Sequence, residues 1–259
     1  MRLDQLLPVE WAKPEILAAL RQGNPVMAMT IATESLEEIG TWEEGNSDAV
    51  LLLIQAAIAA LGCAQQDEAG AWGLEACMTS KGCEPAIAAA AASCCLLTEA
   101  DCPTQTEMMA NLHSWLSTSS GSNPLVTMLA ECALMHVYVL QQDWKQAARM
   151  LAGANSAHLA RPYWVELQTH VYKAVVALRG GDAAKAQGIV ELLEPLAIRL
   201  SGEPGMSGIW WEVAEIYFAM GLESQAWTAA GRAIDMAGLR PADGDNTLSP
   251  GLLAWETVL

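Results

Sequence analysis

With 259 residues, 53% of them hydrophobic, the chain is large and apolar enough to bury a core, which excludes a disordered tail. Its formal net charge of −17, from 13 basic and 30 acidic residues, argues against nucleic acid, because most of the surface would repel a phosphate backbone and release few counterions. The acid is unevenly placed, with 16 acids against 4 bases in residues 1 to 130 and 14 against 9 in the remainder, so a partner steered by charge is expected to be basic and to approach the N-terminal half.

Ala, Leu and Met outweigh Ile and Val in the apolar part, which favours helix over strand and leads to an all-α expectation. The longest apolar runs, Ala49 to Ala64 (interrupted by Gln55) and Ile87 to Leu97, fall short of the roughly 20 residues a bilayer requires and are read as buried helices. Asp4 and Glu10 and the lack of an apolar stretch after Arg2 are unlike a secretory signal. Seven cysteines form an odd set without the pattern of a small disulfide scaffold, as in a reducing compartment, so a cytoplasmic location is expected.

In chain order, helix pairs are expected over residues 13–39, 47–79, 85–118, 124–153, 162–200 and 206–238. The turns within pairs read Arg21-Gln22-Gly23-Asn24, Gln65-Gln66-Asp67, Gln141-Gln142-Asp143, Gly180-Gly181-Asp182 and Met220-Gly221-Leu222. Asn and Asp there cap the second helix and Gly ends the first in a left-handed conformation. A small residue is expected four places after each capping position, at Ala28, Ala71, Ala147, Ala186 and Ala226, where two helices leaving a tight turn approach most closely. The gap between Ala71 and Ala147 is 76 residues, two periods of about 38, and leaves room for a pair made of Pro85 to Leu97 and Thr104 to Leu116.

Ser117 to Pro124 has the composition of a linker, which suggests an acidic N-terminal region at 1–118, a joint at 119–123 and a C-terminal region at 124–259. Gly202, Pro204, Gly205 and Gly208 mark a second break. From about residue 240 a tail carries Pro241, Gly244 and Pro250, and its apolar end, Leu252 to Leu259, is expected to cap the last repeat.

Trp210, Ala214, Tyr217, Gly221, Ala226 and Ala233 have the spacing of the Trp, Gly or Ala, Tyr, Gly, Ala, Ala pattern of tetratricopeptide repeats, and the chain resembles that family. The fourth repeat keeps Tyr138 and Ala147; the fifth keeps Ala174, Gly181, Asp182 and Ala186. The family's closing proline is missing from its usual place, and the period drifts above 34 towards 40. The resemblance implies a TPR-like superhelix, a right-handed α-solenoid of about six antiparallel helix pairs in which the first helix of each pair lines a concave groove. It assigns to that lining Leu129, Cys132, His136 and Val139, then Gln168, Val171, Val175 and Arg179, then Trp211, Glu215 and Phe218. Such a lining suits an apolar helix or extended peptide from a partner; the other reading is that a tightly coiled array buries these side chains against its own neighbours.

Catalysis has no visible signature: nucleotide-binding glycine patterns, HExxH, GxSxG and calcium loops are all missing from the sequence. Cys132 and His136, four apart on a helix, resemble half a metal site, and Cys94, Cys95 and Cys102 invite a redox reading; both sets read better as packing residues, and no metal or cofactor is expected. The adjacent Trp210 and Trp211 point about 100 degrees apart on a helix, so they cannot fill one core slot, and one is expected at a groove. Glu34, Glu37, Glu38, Glu43, Glu44 and Asp48 form a run without a base, either a solvated face or a footprint for a basic segment.

The expected function is a non-catalytic interaction scaffold or chaperone-like adaptor holding a partner protein segment. The alternative is a ligand-sensing regulatory domain with a small-molecule pocket near His136, His170 and Trp211. Neither reading involves nucleic acid or membrane insertion, and both are compatible with homo-oligomerisation through exposed repeat ends.

Overall fold

Runs of good helix formers, punctuated by Gly, Asn and Asp, fold here into helices. The computed structural model describes residues 8–22, 24–63, 65–98, 104–119, 123–154, 163–200 and 206–237. Among these are twelve α-helices and no strand: α1 (Pro14–Arg21), α2 (Pro25–Ile39), α3 (Ser47–Gly62), α4 (Gln66–Thr79), α5 (Pro85–Leu97), α6 (Gln105–Ser119), α7 (Pro124–Leu140), α8 (Trp144–Ala154), α9 (Tyr163–Arg179), α10 (Ala183–Arg199), α11 (Met206–Ala219) and α12 (Glu223–Ala237). None of the described helices is long and apolar enough to cross a membrane. The tail from residue 240, with its expected capping segment Leu252 to Leu259, lies outside the described residues, as does Cys102.

One hydrogen-bond pattern joins successive helices. After α7, the Asp143 N–H reaches back to the Tyr138 carbonyl and the Gln142 N–H to the Val139 carbonyl, the paired bonds of a Schellman turn. The same longer bond runs from Asn24 to Ala19, Gln65 to Ala60, Asp182 to Ala177 and Leu222 to Tyr217. Its donor then opens the next helix. The carbonyls of Asn24, Gln65, Asp143, Asp182 and Leu222 accept from Ala28, Ala69, Ala147, Ala186 and Ala226. Side chains complete three of these caps: Asn24, Asp143 and Asp182 accept from the N–H groups of Met27, Gln146 and Lys185 at 3.0, 3.1 and 3.0 Å. The turn requires a left-handed residue, supplied by Gly181 (φ 81°) and Gly221 (φ 75°), whereas Gln142 adopts it at φ 57° despite its Cβ.

The register of the second turn differs from the sequence expectation. Its cap is Gln65, so the position four residues on is Ala69, which is buried, while Ala71 is exposed. Asp67 is the better cap by residue type, but the backbone bond from Gln65 to Ala60 fixes where the turn ends. In the fifth and sixth helices the corresponding carbonyl is that of Thr104, which accepts from Met108. The six positions are therefore Ala28, Ala69, Met108, Ala147, Ala186 and Ala226, separated by 41, 39, 39, 39 and 40 residues and all buried.

The chain divides into two bodies, Met1–Tyr172 and Lys173–Leu259, with the boundary inside α9. In the first, each helix from α1 to α8 packs on the next, and α3, α5 and α7 also touch in series. Ala56, Ala57, Ala59, Ala60 and Ala90 and Ala91 let these helices approach with nothing exposed. Ser117 to Pro124 connects two helices that pack on each other within this body, and Asn123 caps α7 by accepting from the Val126 N–H. The one polar interruption of α3, Gln55, is buried: its Oε1 accepts from the Lys13 N–H at 2.9 Å, and its Nε2 donates to the carbonyls of Leu51 and Trp11. In the second body α11 lies against both α10 and α12. Trp210 is wholly buried there with the Arg232 guanidinium 4.5 Å from its ring centroid, and burial followed by the nearby Glu194 carboxylate pushes the Tyr217 hydroxyl up to about 12.

Two substitutions test this account. Gln142→Gly removes the left-handed strain and should stabilise the chain by about 0.5–1 kcal/mol, net of the greater freedom of glycine when unfolded. Ala186→Leu overfills a fully buried position in the first turn of α10 and should cost about 1–3 kcal/mol. Chemical denaturation midpoints read both.

Candidate functional site

The nine groove candidates are divided between the two bodies. Cys132, His136, Val139 and Val171 belong to the first, and Val175, Arg179, Trp211, Glu215 and Phe218 to the second. On α7, Cys132, His136 and Val139 recur at intervals of four and three residues, which places them on one helical face. Cys132 and Val139 are buried, as are Leu129 above them and Gln168 and Val171 on α9. His136 is half-buried and its Nδ1 lies 2.9 Å from the Tyr172 hydroxyl, the rings tilted at 45°. A second such pair, His113 with the Tyr138 hydroxyl, links α6 to α7. Histidine–tyrosine bonds between different helices were not anticipated from the sequence, where each histidine looked isolated.

In the second body, Val175 is buried and Arg179 half-buried. Trp211, Glu215 and Phe218 share a face of α11 at the same four-and-three spacing. The adjacent tryptophans separate as their angular offset requires: Trp210 enters the core and Trp211 stays half-buried. Phe218 is 58% exposed, a large apolar side chain left in water. Burial pushes the Glu215 carboxyl up to about 8, and the neighbouring Glu212 charge adds to the effect. Trp227 on α12, at 76% exposure, and Leu192 on α10, at 73%, are apolar surface residues of the same body that the groove assignment omitted.

The acidic run is exposed throughout: Glu34, Glu37 and Glu38 on α2, Glu43 and Glu44 in the following loop, and Asp48 at the start of α3. Lys81, distant in sequence, approaches Glu44 to 3.6 Å, but both side chains are about 70% exposed, so the pair contributes little to stability.

A cleft of about 810 Å³ opens in the first body between the end of α4, the α4–α5 loop, α5 and α6. Leu74, Met78, Met108, Leu112 and Trp115 make its wall largely apolar, and Lys81, Glu107 and Asn111 supply polar groups. His136, His170 and Trp211 do not line it. Its residues come from three helices and share no linear motif. Among the described residues, no three His, Cys, Asp or Glu side chains converge as metal ligands. Comparison with protein-family models, curated proteins and solved structures gave no match.

The Glu215 carboxyl has a measurable signature. Its folded-state pKa is raised, so the folded chain holds a proton that the unfolded chain gives up. Stability should therefore fall as pH rises from about 4.5 to about 8, then level off. In Glu215→Gln this contribution disappears: the variant should melt above the wild type at pH 9 and close to it at pH 4.5, as read by thermal denaturation at the two pH values.

Proposed function

We propose that this chain is a TPR-like α-solenoid of about six antiparallel helix pairs and works in the cytoplasm as a non-catalytic scaffold or adaptor for a partner protein. The observation that carries this reading is the constancy of the turn. A helix start and a close-contact residue recur every 39 to 41 residues, and at five of the six places the same residue also closes the preceding helix, a pattern that serves stacking helices rather than converging polar groups.

The partner segment is apolar, with basic residues beside it. Trp211 and Phe218 on the α11 face are its anchors, Glu215 between them is a polar contact, and Arg179 of the same body is a further point of contact. Val175, buried in the same body, acts from beneath, and Cys132, Val139 and Val171 are core residues of the first body. The acidic face from Glu34 to Asp48 speeds encounter with the basic residues.

A second reading is favoured by the cleft between α4 and α6, whose volume falls within the roughly 300–1,000 Å³ typical of small-molecule sites. In that reading the chain is a ligand-sensing regulatory domain.

Purified wild type and its Phe218→Ala and Trp211→Ala variants, run side by side in pulldowns from native extract, separate the two. A partner retained by the wild type should be lost from both variants, with about 2 kcal/mol or more of affinity removed in each. A partner retained equally by all three would move the binding surface away from α11. The ligand-sensing reading instead expects thermal stabilisation by a metabolite, unchanged by either substitution and abolished by filling the cleft with Ala89→Phe.

A further inference from the structure

Five of the six buried close-contact positions carry alanine, and the sixth carries Met108. The larger side chain has a specific neighbour. The Cys77 thiol of α4 donates to the Met108 thioether of α6 across 3.3 Å, and both residues line the cleft together with Cys83 from the α4–α5 loop. Close packing of α4 on α5 fixes the Cys77 side of this contact: a Cβ at Gly73 would lie 3.2 Å from the Cys95 backbone of α5, and Cys77 follows Gly73 by one turn of α4.

We propose that this wall of the cleft is a site for a soft monovalent metal ion, Cu(I) being the biological example, bound by Cys77 and Met108 with Cys83 as the third ligand. Thiolate and thioether sulfur select such ions; thiolates also bind zinc, but zinc sites are built from three or four Cys, His, Asp or Glu ligands, and among the described residues no three of these converge, so the thioether favours Cu(I). Metal–sulfur bonds of about 2.3 Å hold ligand sulfurs about 3.8 Å apart at a tetrahedral angle, so Met108 has to withdraw by about half an ångström, within reach of its three rotatable bonds. The cleft provides the entry path, and Cys77 is half-buried at its edge. This inference is independent of both functional readings above.

The test is an anaerobic competition in which the full chain is offered Cu(I) as its bicinchoninate complex. The wild type should withdraw one equivalent. Cys77→Ser and Met108→Leu, both close to isosteric, should each weaken uptake by at least about 100-fold, because loss of a direct ligand exceeds the effect of losing a supporting group. Cys63→Ser, away from the cleft, should bind as the wild type does. Bound copper should also shield Cys77 and Cys83, but not Cys63, from iodoacetamide when alkylation is mapped by peptide mass spectrometry. No uptake by the wild type would overturn the site. So would equal uptake by the Cys77→Ser/Met108→Leu double variant, which would assign the copper to the remaining thiols.

Discussion

A single residue closes one helix and opens the next, and much of this architecture depends on that economy. The N–H of Asp143 or Asp182 ties off the preceding helix, and the carbonyl and carboxylate of the same residue accept from the first turn of the following one. Both helices therefore leave from a common point, with few residues to spread them apart. Their backbones are closest one turn on, and a side chain of any size at that point acts as a wedge. Alanine at five such positions suits the turn above it, and all five are buried.

Close packing also decides what remains for an outside partner. Where α3, α5 and α7 meet in series, their apolar faces are consumed by one another, which is why Cys132 and Val139 have almost no surface despite lying on the face that the repeat resemblance directs outward. Half-exposed polar and aromatic groups survive at the margins, His136 on α7 and Trp211 on α11 among them. Their chemistry is mixed: a carboxyl that burial holds near neutrality in its titration stands between an indole and a phenyl ring, so the α11 face can change charge without moving.

Helix positions were legible because their signals are local. Each of the six sequence ranges holds two helices in the structure, and Asn24, Asp143 and Asp182 announce their caps by residue type. Register was less legible where residue type and backbone geometry disagree, as at Gln65, a poor cap that holds the capping place while Asp67 lies inside α4. Met108 is not small and so carries no mark of its position in the sequence, and only the Thr104 carbonyl reveals its equivalence. The candidate site was least legible of all. Whether a helical residue is exposed depends on which neighbour covers it, and periodicity within one helix carries no record of that. The cleft and its sulfur pair draw on three helices over more than forty residues, so no window of sequence contains them.

Gln55 has a consequence for where the folded chain begins. Its amide sits in an otherwise apolar helix and is satisfied by the Lys13 N–H and the Trp11 carbonyl, over forty residues upstream. A shortened version starting at α1 would look complete by its helices and yet leave that amide deprived of two of its partners in a dry interior. The short segment ahead of α1 is thus an integral part of the core of α3, and the functional boundary of the fold lies several residues before its first regular helix.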